Sequence, residues 1–202
     1  MKTGFSAFRL VFTSLSALLL CGCLLKTGTM PARHFVLAPI PADGSNPVRQ
    51  DLPVEIGFVK MPSYLLRDSM AVRNGANEIE FLENARWAER LDHCFQRTLL
   101  ADLSGPCRGS EHNPKSVRIF IDVDQFDVDA LGHGRLVAQW RIAAQDGTGS
   151  LHTGHISLSR TGVPPRGDPA AMARTMSELT DEFSHELTRH VAIILDRTVC
   201  NL

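Results

Sequence analysis

No stretch of this sequence is both long and apolar enough to read as a membrane-spanning helix. The apolar run over residues 10–20 holds about 11 residues where a spanning helix needs about 20, so it reads as part of a targeting peptide. Basic residues are not in excess: Lys and Arg number 21 against 22 acids, a formal net charge of −1. That balance gives no support for the basic patch nucleic acid requires. No internal repeat with a period of about 20–50 residues is visible, which argues against solenoids and propellers. A Gly-x-Ser-x-Gly nucleophile elbow is missing, and Gly132-His133-Gly134 lacks the rest of either phosphate-binding glycine fingerprint. His34, His93, His112, His133, His152 and His155 are scattered over separate expected elements.

Two segments approach a metal motif and miss it. In HELTRH, His185 and His190 are five residues apart, which puts them about 140° apart round a helix rather than on one face. Two solvated helix histidines are the plainer expectation. DVDQFDVD, over residues 122–129, invites a calcium loop, but the fifth position is Phe126 and the sixth Asp127 where an oxygen ligand and a glycine are needed. A polar strand face running into a loop accounts for it better.

What the sequence does have is a junction. Leu20-Cys21-Gly22-Cys23 closes the short apolar run, and Lys2 and Arg9 supply a basic start. Bacterial lipoprotein maturation acts on this pattern. On that reading residues 1–22 are a lipoprotein signal peptide, the Cys23 thiol is lipidated, and the mature chain begins at Cys23. An ordinary secretory signal with a cysteine near its cut, or an uncleaved anchor, are the competing readings. Stable anchoring takes at least two lipid chains, which a processed and acylated Cys23 supplies. Leu24 stands where inner-membrane retention calls for Asp, so the expected place is the periplasmic side of the outer membrane.

Losing Lys2 and Arg9 with the signal lowers the 21 basic residues to 19 against 22 acids, a net of about −3. The roughly 180 residues left suit one domain. Residues 23–33 carry no hydrophobic periodicity and read as a flexible tether, and residues 34–202 as a single domain. Of the mature cysteines, Cys94 falls on the apolar side of an expected helix, where a thiol packs as a small hydrophobe. Cys107 in a Gly/Pro loop and Cys200 near the C-terminus make the expected disulfide, in a compartment that permits one.

The expected elements follow in order. Residues 34–40 read as a first strand, at a sheet edge because of Pro39. Val54, Ile56 and Phe58 alternate as a second. Pro62 stops it, and Tyr64-Leu65-Leu66 resumes an extended path. Residues 70–73 and 78–81 flank Asn74-Gly75 as a hairpin. The spacing of Trp87, Ala88, Leu91, Cys94, Phe95, Thr98, Leu99 and Leu103 predicts an amphipathic helix ended by Gly105-Pro106. Val117, Ile119, Ile121 and Val123 alternate, as do Leu136, Ala138, Trp140 and Ile142, which predicts an antiparallel pair with Asp122 and Asp124 facing Arg135 or Arg141. A third strand follows over residues 151–159. Asp168-Pro169 caps a long helix with Met172, Met176, Leu179, Phe183, Leu187, Val191 and Ile194 on one face. This order argues for an α+β fold: a mostly antiparallel sheet with both amphipathic helices packed on one face.

Pro62, Tyr64 and Leu65, then a hairpin, then Trp87, Ala88 and Leu91 give a segment that resembles the ABC-type transport auxiliary lipoproteins, the PqiC-like family. Phe126, a Gly-rich turn, and Leu136, Ala138 and Trp140 make a second block similar to that family. HFVLAP and the long final helix lie where the family has them, so the resemblance spans residue 34 to about 196. It implies a non-enzymatic envelope lipoprotein without cofactor or metal. Its implied role is an accessory subunit in systems where MCE-domain proteins carry lipid between the inner and outer membranes. The implied partners are an MCE-domain protein and the inner-membrane transporter subunits, with homo-oligomerisation to match a ring-shaped conduit in keeping. An exposed sheet edge, at the first strand or the 70–81 hairpin, is the expected docking element through strand addition. A free-standing envelope lipid- or cell-wall-binding lipoprotein is the alternative. A periplasmic hydrolase would need histidines and acids to meet in one pocket.

Overall fold

The computed structural model describes residues 31–40, 54–103, 117–144 and 149–199, the last five of them by backbone alone. In chain order the elements are β1 (Arg33–Phe35), β2 (Val54–Lys60), a 3₁₀ turn (Ser63–Leu66), β3 (Ser69–Arg73), β4 (Ile79–Trp87), α1 (Leu91–Leu103), β5 (Val117–Asp129), β6 (His133–Ala144), β7 (His152–Thr161) and α2 (Pro169–Val199).

The organising strand is β5. One sheet runs β1-β4-β3-β5-β6-β7, and β2 also pairs with β5. Because β6 follows β5 along its length, β2 and β3 share the other side. β2 takes the stretch from Val117 to Asp122, and β3 takes Val128 and Asp129. The 3₁₀ turn fills the break between them, closed by the Leu65 N–H donating to the Pro62 carbonyl at 3.0 Å. The expected extended path through Tyr64 to Leu66 is therefore a helical turn. A strand running straight on from β2 to β3 would have left no room for it.

Pairings β3–β4, β5–β6 and β6–β7 are antiparallel and hold most of the paired residues, while β1–β4, β2–β5 and β3–β5 are parallel. The sheet is mixed and mostly antiparallel, and the fold is α+β.

A bulge decides which side chains of β5 face inward. Register shifts between Val123 and Gln125, leaving Asp124 as the extra residue. Before it the odd positions 117, 119, 121 and 123 are buried, and after it the even positions 126 and 128. DVDQFDVD is thus strand to its end, where the broken alternation reads as a loop. Asp122 lies opposite Gln139 with Lys60 3.6 Å away, and Asp124 accepts from Gln139 at 3.3 Å. Neither faces Arg135 or Arg141 in register.

The first helix begins at Leu91, four residues later than its periodicity suggests. The Trp87 N–H is taken by the Asp68 carbonyl at 2.7 Å and the Ala88 N–H by the Phe35 carbonyl at 2.8 Å. Trp87 ends β4 and Ala88 continues its bonding to β1, and their apolar spacing only coincides with the helical period.

In α2, Met172, Met176, Leu179, Phe183, Leu187 and Val191 are at most 1 % exposed. The Asp168 side chain accepts from Ala170 N–H at 3.1 Å and caps the helix. Phe95 of α1 and Phe183 of α2 stack at 6.0 Å; Phe95 also meets Phe126 of β5 at 5.2 Å, and Phe183 meets Trp140 of β6 at 5.7 Å. Phe126 and Trp140 project from the same side of the sheet, so the core lies between that side and the helices. Opposite Trp140 in register stands Gly154, where an added Cβ would sit 2.3 Å from the indole ring.

Candidate docking surface

Tyr64, the tyrosine of the Pro-x-Tyr-Leu segment, is half-buried and turns its hydroxyl to a buried carboxylate. Its hydroxyl donates to Asp127 Oδ2 at 2.8 Å. Arg73 Nη2 donates to the same oxygen at 2.6 Å, Arg73 Nε to both carboxylate oxygens at 3.1 Å, and Gln125 Nε2 to Oδ1 at 2.8 Å. Asp127 is 1 % exposed, and a buried carboxylate is tolerated only when paired in this way. Burial, then the Asp127 hydrogen bond and charge, push the Tyr64 hydroxyl well above its usual range. It stays a neutral donor. The Asp127 hydrogen bond likewise raises Arg73. The clamp joins the 3₁₀ turn, β3 and the far end of β5.

Residues 33–40 form a strap. β1 pairs with β4 for three residues at one end of the sheet, matching the expected edge position, but the strand stops at Phe35. Beyond it Leu37, fully buried, is held by both helices' neighbourhood: its N–H donates to Cys94 Sγ at 3.1 Å, its carbonyl accepts from Thr98 Oγ1 at 3.5 Å, and the next N–H, of Ala38, donates to Ser177 Oγ at 3.1 Å. Cys94 is a buried free thiol, its pKa raised by desolvation. Cys23, Cys107 and Cys200 lie outside the described residues.

Of the described histidines only His152 and His190 meet. His133 Nδ1 lies 2.9 Å from Asp129 Oδ2, while Asp129 Oδ1 accepts the backbone N–H groups of Leu131 and His133. This clasp holds the β5–β6 turn. Desolvation acts to raise the Asp129 carboxyl, but the bonds from His133 and Leu131 outweigh it and hold it below the usual range. His185 sits 3.6 Å from Asp181 on α2, and His190 stacks on His152 at 4.7 Å beside Trp140. His190 is thus half-buried in an aromatic cluster rather than solvated. Among the described residues no three His, Cys, Asp or Glu side chains gather to hold an ion.

The remaining surface is the side of the sheet turned away from the helices. Two cross-strand rows span β2, β5, β6 and β7: Phe58, Phe120, Arg141 and Thr153, then Lys60, Asp122, Gln139 and His155. The Arg141 guanidinium lies over the Phe120 ring at 4.2 Å, and Phe58 packs on Phe120 at 5.0 Å while remaining 48 % exposed. All of these but Lys60 line a groove of about 730 Å³, together with Asp124 and Ser157.

The groove ends at β7, the outermost of the described strands on that side. By contrast the 70–81 hairpin is interior: β3 lies between β4 and β5, and β4 is covered by β1 at its end. Nothing in the sequence set β7 apart. Its alternating half-buried and exposed pattern is that of any surface strand, and its place at the margin follows from the meander.

A family model described as the ABC-type transport auxiliary lipoprotein component matches residues 35–188. No curated protein matches the chain. Among solved structures, a Xanthomonas campestris protein of the DUF330 family shares the fold with a TM-score of 0.64 at 13% identity, over 83% of this chain and 98% of that one. An uncharacterized protein shares it with a TM-score of 0.60 at 15% identity, over 80% and 99%.

Proposed function

The chain belongs to the ABC-type transport auxiliary lipoprotein family, and from that premise we propose that it docks the periplasmic conduit of an MCE-type lipid transport system at the outer membrane. Its mature domain, residues 34–202, is tethered through residues 23–33 to a lipidated Cys23 and acts without catalysing a reaction itself. The observation that carries this reading is the family match over residues 35–188 behind a lipoprotein junction ending at Cys23. The strap over residues 33–40 supports it mechanically. Tension arriving through the tether meets β1 and the Leu37 bonds first, so the anchor is joined to the sheet edge and the helices together.

The groove and the β7 margin supply a surface for the conduit, and several copies arranged round a ring-shaped partner agree with it. Envelope crosslinking followed by purification of the tagged full-length chain tests the reading. An MCE-domain protein is expected in the eluate, together with inner-membrane transporter subunits in smaller amounts. Capture of no such protein, with a lipid or cell-wall fragment bound to the isolated chain, would favour the alternative of a free-standing envelope-binding lipoprotein.

A further inference from the structure

An edge strand offers unpaired N–H and C=O groups to any extended chain, and natural edges are blunted by shortness, proline, bulges or inward charges. β1, at one end of the sheet, is blunted by its three residues. β7, at the other end, is not: it runs for ten residues, contains no proline, and pairs with β6 from His133–Thr161 to Ile142–His152 without a register shift. Its one cation, Arg160, is drawn back to Glu178 and Glu182 of α2 at 3.0 and 3.7 Å. Ten edge residues of the described sheet are thus left unblunted.

The side chains define what fits there. On the helix side, Ile156 and Leu158 are packed on the core but only partly buried, so an adjoining strand with apolar residues on that side would finish covering them. On the groove side, Thr153, His155 and Ser157 alternate with them. There the neighbouring β6 presents Arg135, bonded only to Ser157 Oγ at 3.5 Å, and Arg141, stacked on Phe120. Neither guanidinium has a carboxylate partner among the described residues. Two such cations beside an open edge complement acidic side chains.

We infer that β7 takes an extended segment of a partner protein by strand addition, and that this segment alternates apolar residues facing α2 with acidic residues facing Arg135 and Arg141. Main-chain bonds to β7 supply the affinity, and the alternation and the acids supply the register and selectivity. The inference rests on the docking function proposed above and names the surface and the chemistry of the docked segment.

The test uses the full-length acylated chain in detergent micelles and a synthetic ten-residue peptide alternating valine and glutamate, matched in length to β7. Binding is read by fluorescence anisotropy. The peptide is expected to bind at least about tenfold tighter than one of the same composition with the alternation shuffled, and methylation of its alternate amide nitrogens to remove binding. The pair Arg135→Glu and Arg141→Glu should shift preference to a valine–lysine peptide. The milder pair Arg135→Gln and Arg141→Gln should abolish the preference between the two, and it decides the point if the reversal does not fold. Equal binding of the shuffled or methylated peptide, an unchanged preference in the charge variants, or no binding of the acidic peptide would overturn the inference. Capture of an MCE-domain protein by the charge variants as efficiently as by the parent would also overturn it while leaving the docking function standing. Peptide binding without MCE capture by the parent would do the reverse.

Discussion

The Tyr64 hydroxyl donates a 2.8 Å hydrogen bond to Oδ2 of Asp127 across a separation of 63 residues. It is the neutral arm of a clamp whose charged arm is Arg73, 2.6 Å from the same oxygen. Because Asp127 is buried, losing one donor costs more than the bond itself. Tyr64→Phe keeps the ring and removes only the hydroxyl. Urea denaturation should show a loss of about 1.5–3 kcal/mol, the range for a bond to a charged group. A loss under about 0.5 kcal/mol would mean that Arg73 and Gln125 satisfy the carboxylate alone.

Gly154 stands opposite Trp140, with no room for a methyl group. Gly154→Ala should cost about 1–3 kcal/mol through the displaced indole, as overpacking does. The same variant should shift the tryptophan emission. Trp140 and the buried Trp87 are the chain's two tryptophans, so Trp87→Phe in the background isolates the signal. Unchanged emission would contradict the packing described.

Leu37 covers Cys94, and their bond closes the strap. Leu37→Ala should destabilise the domain by about 2–5 kcal/mol. Under native conditions it should also speed modification of Cys94 by a maleimide, measured in a chain with Cys107 and Cys200 replaced by serine. If labelling remains as slow as in the parent, the strap does not gate access to the thiol.

Asp129 should give stability a pH dependence whose sign follows from its lowered carboxyl pKa. Its folded pKa is depressed, so its contribution to stability is present above the unfolded value of about 3.9 and is lost as pH falls through the lower folded value. The parent should therefore exceed Asp129→Asn in urea midpoint at neutral pH, and the gap should close below about pH 4. A gap that stays constant with pH would show that the clasp at His133 and Leu131 does not depend on the carboxylate charge.

Much of the architecture was legible in the residues because burial and periodicity coincide there. The α2 apolar series, the Asp168 cap and the β5–β6 pairing follow directly from alternation and spacing. The errors have a common physical root. At Trp87 and Ala88 a helical spacing overlies residues whose backbone groups are already committed to Asp68 and Phe35. At Asp124 one bulged residue reverses the alternation, so a continuous strand reads as a loop. Tyr64 and Asp127 carry no local signal of their contact, which exists only after β3 has been laid beside β5. Edge status is equally non-local: among the described strands β7 is outermost because of the order of the others, and the 70–81 hairpin is enclosed for the same reason.

The proposed docking role depends on an anchor at Cys23. The direct measurement is separation of inner and outer membranes from cells making either the parent chain or Cys23→Ser, with quantitation of the chain in each fraction. The parent is expected in the outer membrane, and Cys23→Ser is expected to lose that association while keeping the parent's urea midpoint once purified. A Cys23→Ser chain that remains in the outer membrane, processed like the parent, would contradict the account at its base.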